Sequence, residues 1–270
     1  MGNHKPSPLV RLGLSLAASM VAALLGLLLV RNLAPATWLH ANNEVAGNYL
    51  QTLGTIYAVL LAFVVFVVWQ QHNETRSAVE SEANELSDFC RTVRAMAGTE
   101  RVQDSIQEYC RLVVEEEWPL MAQSGWSAQA NRNLEDMWQA LQEVEPRSRR
   151  EEALYAEALA RFNDLSDARS RRLYCSMLRL PPSLWVLLLT NGGLVVGSMW
   201  IFGLESASAH GLMTGALAGS IAFILFLVAD LDNPFWGSWR VGPDAFQRAL
   251  RPEPKPEAPI NSLKETRSSE

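Results

Sequence analysis

The stretch that decides the fold spans residues 43–69 and reads NEVAGNYLQTLGTIYAVLLAFVVFVVW. No charged residue occurs between positions 53 and 69. With residues 49–52 included, the run is about 21 residues long, or roughly 31 Å as a helix, which is enough to cross the hydrocarbon core of a bilayer. The stretch therefore predicts a membrane-spanning helix over residues 49–69.

Three more apolar segments predict spans over residues 12–30, 184–202 and 211–228. Few soluble folds contain several uncharged runs of this length. The first run could instead be a cleaved signal peptide, with Ala34-Pro35-Ala36 as the cleavage site. It exceeds the usual apolar length of such peptides, and Arg31 follows it directly, so an uncleaved helix is favoured.

The charged segment between the second and third spans, residues 70–182, carries 20 acidic residues and 14 arginines. Helical spacing predicts four helices, over about 70–97, 101–121, 128–144 and 151–178, and no segment alternates as a strand does. The first continues the second span, with a heptad-like apolar seam and charged residues on its other faces. The seam consists of Val79, Ala83, Leu86, Cys90, Val93 and Ala97, and the solvated faces carry Glu80, Glu82, Glu85, Asp88, Arg91 and Arg94.

We therefore predict an all-α polytopic membrane protein, with a helical domain inserted between transmembrane helices 2 and 3. The predicted parts are residues 1–69, which hold helices 1 and 2, the domain at 70–182, residues 183–231 with helices 3 and 4, and a tail at 232–270. The tail is rich in Pro, Glu and Ser from about residue 251, a composition typical of disorder.

Basic residues near the membrane ends predict the orientation. The side holding both termini carries Lys5, Arg11, Arg169, Arg171, Arg172, Arg179, Arg240, Arg248 and Arg251. The loops at 31–48 and 203–210 contain only Arg31 as a basic residue. The termini and the 70–182 domain are thus expected in the cytoplasm of a bacterium, and the two loops outside its inner membrane.

Composition and motifs exclude several functions. The net charge of −6 and the absence of a basic arm argue against nucleic-acid binding. Cys90, Cys110 and Cys175 match no zinc or redox spacing, so reduced buried thiols are expected and no metal or cofactor is predicted. No nucleophile elbow, zinc-protease motif or phosphate loop occurs, which argues against an enzyme.

One face of the second span combines polar and aromatic side chains at spacings of three and four. Its outer half is polar and its inner half could form an apolar constriction that gates by dewetting. The alternative is that the hydroxyls bond back to the helix and the aromatic rings pack against neighbours. The pore-lining candidates are Asn48, Thr52, Thr55, Val59, Phe63 and Phe66.

Two further groups of residues are candidates for packing and for the outer mouth. Small residues four apart let membrane helices approach closely, within one chain or between subunits. These are Gly193 and Gly197 in helix 3, and Gly211, Gly215 and Gly219 in helix 4. The outer loops hold His40, Glu44, Glu205 and His210. These residues could bind a cation or sense pH, or they could simply be ordinary polar residues of a solvent-exposed loop.

Over about residues 40–250 the chain resembles the bestrophin-like family of bacterial and plant membrane proteins. The matching motifs are Asn43-Glu44-Val45-Ala46-Gly47, Tyr57-Ala58-Val59-Leu60-Leu61-Ala62-Phe63, Glu82-Ala83, Tyr109, Glu117-Trp118-Pro119-Leu120-Met121, Leu180-Pro181, Trp185 and Asp232-Asn233-Pro234-Phe235-Trp236-Gly237.

The resemblance implies a four-helix membrane unit with a cytoplasmic helical domain and a pore around an oligomer axis. True bestrophins, which are remote relatives, are pentameric anion channels whose second helix lines an apolar neck. Their calcium-binding acidic cluster is replaced here by Ser238-Trp239-Arg240, so calcium gating is not expected. The leading hypothesis is a homo-oligomeric channel for inorganic ions in the lipid bilayer. The alternative is a non-conducting scaffold or sensor whose cytoplasmic helices bind a partner.

Overall fold

A computed structural model describes residues 7–35, Leu39 and residues 43–249, and every regular element among them is helical. In chain order these are α1 (Pro8–Leu33), α2 (Asn43–Arg94), α3 (Glu100–Leu112), a π-helical turn (Val113–Glu117), α4 (Trp118–Met121), α5 (Ala128–Gln142), α6 (Arg149–Met177), α7 (Pro182–Trp200), α8 (Ala207–Leu231) and α9 (Asp244–Ala249).

Four helical segments are long and apolar enough to cross a membrane, which agrees with the predicted four-span, all-α architecture. They are Leu9–Leu33, Asn43–Arg94, Arg149–Trp200 and Ala207–Leu231. The third segment contains α6 and α7, which are separated by residues 178–181, and Pro182 is the first residue of α7. Proline at the first helical position suits a helix start, because its missing N–H would have no partner there.

Helix α2 is a single helix of 52 residues, about 78 Å long, and it joins two hydrophobic cores. In the first core, Tyr57, Leu61, Val64 and Val68 pack with buried residues of α7 and α8. In the second core, the residues of α2 from Val79 onward pack among the helices of the 70–182 segment. The predicted seam therefore continues from the second span into the helical domain.

The seam is shorter than predicted at one end and more polar than predicted in its middle. Ala97 is exposed because α2 ends at Arg94, and Met96 is buried after the helix ends. Glu82 was expected on a solvated face, but its side chain is completely buried. Glu82 lies three residues after Val79 and four before Leu86, so it shares their face of the helix.

Residues 232–249 pack against the helical domain. Phe235 and Phe246 are buried in its core, and their rings meet the edge of Trp118 at centroid distances of 5.5 and 5.7 Å. The Trp118 indole N–H also donates to the Val241 carbonyl at 3.1 Å. The tail predicted to be disordered from about residue 251 lies outside the described residues.

Candidate functional site

All six pore-lining candidates lie on one uncovered face of α2. Asn48, Thr52 and Thr55 lie nearest its N-terminus and are exposed. Val59, Phe63 and Phe66 follow, with 52%, 67% and 63% of their surface exposed. The opposite face of α2 contacts α7 and α8, whereas no other element among the described residues covers this face.

The two threonines on this face are bonded to their own helix. The Thr52 hydroxyl donates to the Asn48 carbonyl at 2.9 Å, and the Thr55 hydroxyl donates to the Gln51 carbonyl at 2.7 Å. The back-bonding alternative considered for these hydroxyls is therefore seen in this chain. Each oxygen keeps acceptor capacity, since a hydroxyl has two lone pairs.

The predicted packing glycines divide into two groups. A Cβ added to Gly211, Gly215 or Gly219 would lie 3.4–3.6 Å from side chains of α1, an ordinary van der Waals distance. These three glycines face α1 of the same chain, and their role in close helix packing stays a prediction. At Gly193 a Cβ would meet nothing within 4 Å, and at Gly197 only Trp200 of its own helix. A packing role for these last two stays a prediction that requires another chain.

Two glycines that were not predicted make closer approaches. A Cβ at Gly192 would lie 2.8 Å from the Tyr57 hydroxyl, where α7 crosses α2. A Cβ at Gly26 would enter the ring of Trp200, whose indole N–H donates to the Ala23 carbonyl at 3.0 Å. Gly192 belongs to no four-residue repeat of small residues, whereas Gly26 follows Ala18 and Ala22 at spacings of four, a signal in the sequence that the prediction did not use.

The start of α2 is connected to the loop between α7 and α8 by polar contacts. The Asn43 side chain pairs with the Gly203 backbone, accepting from its N–H at 2.8 Å and donating to its carbonyl at 3.3 Å. Glu44 and Glu205 are exposed. His40 lies outside the described residues.

His210 is not available at the outer surface as predicted, because it is fully buried in the first turn of α8. Its Nε2 lies 2.7 Å from the Met199 carbonyl, and Arg31 Nη1 lies 3.5 Å from its Nδ1. An imidazole that donates from Nε2 and accepts at Nδ1 satisfies both contacts. Both ring nitrogens are therefore engaged, and none is left for an ion.

A buried ionic cluster lies in the helical domain and consists of Glu82, Tyr109, Glu117, Arg169 and Arg172. Arg172 donates to Glu82 from Nε at 2.5 Å and to Glu117 from Nη2 at 2.6 Å. Arg169 forms a two-pronged pair with Glu117, with both bonds at 2.8 Å. The Tyr109 hydroxyl donates to Glu82 at 2.6 Å and accepts from Arg169 at 3.1 Å. The five side chains thus join α2, α3, the π-helical turn and α6.

The electrostatics of the cluster are balanced, with two carboxylates facing two guanidinium groups. Burial alone would raise the pKa of Glu117, but Arg172 and Arg169 outweigh it and hold that pKa below its usual value. The backbone N–H of Ser127 adds a hydrogen bond to Glu117 at 3.1 Å. Full pairing of this kind is what permits charges in a protein interior.

This cluster was not predicted from the sequence. Arg169 and Arg172 were expected to be charges that flank the membrane, whereas both are buried and neutralised within the domain. Of the four arginines that precede α7, only Arg171 and Arg179 still support the predicted orientation. The available signal was the position of Glu82 within an apolar seam and the three-residue spacing of the arginines, which places them on one face of α6.

Two aspartates at the end of α8 secure the segment that follows it. Asp230 is buried, accepts from the Ser238 N–H at 2.8 Å and lies 4.0 Å from Arg11. Asp232 accepts from the Leu180 N–H at 2.7 Å, which connects the end of α8 to the start of α7. Within residues 7–35, 39 and 43–249, no group of three or more His, Cys, Asp or Glu side chains is arranged to hold a metal ion.

These features define a class of protein: a four-span helical membrane unit with a long second helix that continues into an inserted helical domain. The model of the Bestrophin-like domain matches residues 17–246, and the chain belongs to this family. Comparison with curated proteins by sequence gives no match.

Two solved structures share the fold. One is a bacterial bestrophin homologue from Klebsiella pneumoniae that carries a mutation, at 13% identity and a TM-score of 0.63, with 86% of this chain and 96% of that chain covered. The other is a variant described only as a membrane protein, at 12% identity and a TM-score of 0.63, with coverage of 88% and 95%.

Proposed function

We propose that this protein is an oligomeric ion channel of the inner membrane, in which the exposed face of α2 from several subunits lines the pore. The observation that carries the proposal is the uncovered row from Asn48 to Phe66, opposite a face that the chain buries itself. Membership of the Bestrophin-like family supports a channel at the level of the family.

A ring of such faces would have two zones. Asn48, Thr52 and Thr55 would form a polar outer zone, and Val59, Phe63 and Phe66 an apolar constriction further along. A narrow apolar constriction can close a pore by dewetting, without a moving plug. In this arrangement the termini and the 70–182 domain lie on the cytoplasmic side, and Glu44 and Glu205 lie at the outer mouth.

The test is ion flux in liposomes that contain the purified protein. We expect flux in the wild type, and a changed flux in Phe63→Ala and Phe66→Ala because both shorten the apolar constriction. Phe223→Ala is the matched control, since Phe223 is an exposed phenylalanine of α8 outside the proposed pore.

The subunit number is tested separately by mass measurement in detergent, because a pore between subunits requires a ring. A monomer or dimer without flux contradicts the channel proposal and favours the scaffold alternative. A ring that conducts, with flux insensitive to both phenylalanine substitutions, contradicts the assignment of α2 as the pore-lining helix.

A further inference from the structure

A polar cavity of about 330 Å³ lies between α2, just beyond its apolar run, and the segment that follows α8. One wall is formed by His72, Arg76 and Glu80, which are four residues apart on α2 and so share a face. The other wall includes Arg240, Asp244 and Arg248. The pore-lining residues proposed above are not part of this cavity.

The charges around the cavity leave two arginines available. Arg248 Nη2 donates to both oxygens of Glu80, at 2.8 and 2.9 Å, so these two charges neutralise each other. The side chains of Arg76 and Arg240 are exposed and have no ion pair or side-chain hydrogen bond within the described part of the chain. Of the described side chains, Asp244 is the one other carboxylate that lines the cavity, so three arginines share the lining with two carboxylates, and Asp230 acts on His72 from beside it.

His72 lines the cavity and carries an unmade hydrogen bond. Only 8% of its surface is exposed, yet its buried Nδ1 has no hydrogen-bond partner among the described residues. Buried polar side chains nearly always have one, because an unmade hydrogen bond in the interior costs free energy. The Nδ1 itself is closed off from the cavity, so a ligand there would meet His72 through the rest of its imidazole ring.

The cavity lies where the apolar run of α2 ends, at the membrane boundary. Trp69, the last residue of the apolar run, stacks on His72 at 6.4 Å and meets the edge of Trp239 at 5.9 Å. Tryptophan is enriched where a spanning helix leaves the hydrocarbon core. The cavity thus lies at the depth of lipid headgroups.

We propose that this cavity binds a phosphate group, with Arg76 and Arg240 as its charged donors and His72 as a hydrogen-bond partner. Guanidinium groups match phosphate oxygens through paired N–H donors, which distinguishes this chemistry from binding of a cation. A lipid headgroup and free phosphate share the same anionic group. The proposal does not depend on whether the protein conducts ions.

The experiment uses the full-length protein, purified in an uncharged maltoside detergent, and two probes. Inorganic phosphate is titrated by calorimetry, and retention of phosphatidylglycerol is followed by native mass spectrometry. We expect the double variant Arg76→Gln/Arg240→Gln to weaken binding of the effective probe by about tenfold or more, since hydrogen bonds to charged groups are strong. Arg132→Gln/Arg150→Gln removes the same charge from exposed positions of the helical domain and should bind like wild type.

The outcomes separate the two sources. Loss of one retained lipid only in the Arg76/Arg240 variant identifies a headgroup site, whereas weakened binding of inorganic phosphate alone identifies a site for soluble phosphate. The proposal is overturned if neither probe distinguishes this variant from its control. Unfolding temperatures are measured for every variant. If the double variant does not fold, Arg240→Gln and His72→Phe carry the same comparison, because Arg240 is exposed in a loop and phenylalanine keeps an aromatic ring in place of His72.

Discussion

Arg172 Nε donates to Glu82 Oε2 at 2.5 Å in the interior of the helical domain, and both side chains are fully buried. Glu82 belongs to the part of α2 beyond its apolar run, and Arg172 belongs to α6, the helix that directly precedes α7. The pair therefore connects the second and third spans through the helical domain. A movement of one helix must be followed by the other or must break a buried ion pair.

Replacement of Arg172 by methionine should strongly destabilise the protein. Breaking a buried ion pair leaves an uncompensated charge and costs about 3–5 kcal/mol. Arg111→Met is the control, because Arg111 pairs with Glu108 and Glu115 at the surface, where such pairs contribute less than about 1 kcal/mol. Thermal unfolding in detergent compares the two variants, and similar shifts for both would contradict a central role for the cluster.

The contribution of Glu117 should depend on pH in a direction set by its lowered pKa. A carboxyl group whose pKa is lower in the folded than in the unfolded state stabilises the fold above its unfolded pKa, about 4.3. This stability is lost as the pH falls through the folded value. The wild type should therefore exceed Glu117→Gln in unfolding temperature at pH 6, and the difference should shrink below about pH 4. A difference that stays constant down to about pH 3 would refute the assignment.

Cys110 should resist alkylation in the native protein. Burial, with a further contribution from Glu82, raises the pKa of its thiol to about 12, so little thiolate exists near neutral pH. Iodoacetamide should modify it about a thousandfold more slowly than an ordinary exposed thiol with a pKa near 8.5. An added cysteine at the exposed position Ser77 is the control, and peptide mass spectrometry measures both sites. Equal labelling of the folded protein would show that Cys110 is accessible.

Gly237→Ala should cost more stability than Gly98→Ala, although both glycines have positive φ angles, +92° and +74°. A Cβ at Gly98 meets nothing within 4 Å, so that variant reports the backbone penalty alone, about 1–2 kcal/mol. A Cβ at Gly237 would enter the carboxylate of Asp230, which accepts the Ser238 N–H. Unfolding temperatures measure the difference, and a smaller loss for Gly237→Ala would contradict the close contact between residue 237 and Asp230.

Much of the fold could be predicted because its strongest signals are local. A run of apolar residues long enough to cross a bilayer must form a helix, since lipid offers no partner for backbone N–H and C=O groups. The prolines at 181 and 182 likewise mark the start of α7 by their own chemistry. The six exposed residues from Asn48 to Phe66 share one side of α2 because helical periodicity alone places them there, whereas their pore-lining role stays a prediction.

The π-helical turn and the buried ionic cluster could not be predicted in the same way. Glu82 and Arg172 are 90 residues apart in the chain, and either would be an ordinary surface charge without the other. The burial of His210 could not be predicted for the same reason, because its partners Arg31 and Met199 lie in other helices. Charge and hydropathy describe what a side chain prefers, whereas its partners depend on which helices pack together.

The sequence by itself therefore determined the helical class, the four apolar runs able to span a membrane, and the residues that share each face of α2. Only the tertiary structure decided which of those faces the chain covers and which it leaves open. The physical reason is that periodicity is a property of one helix, while burial is a property of pairs of helices. For α2 that difference separates Tyr57, buried against α7, from Phe63, which faces away from its own chain.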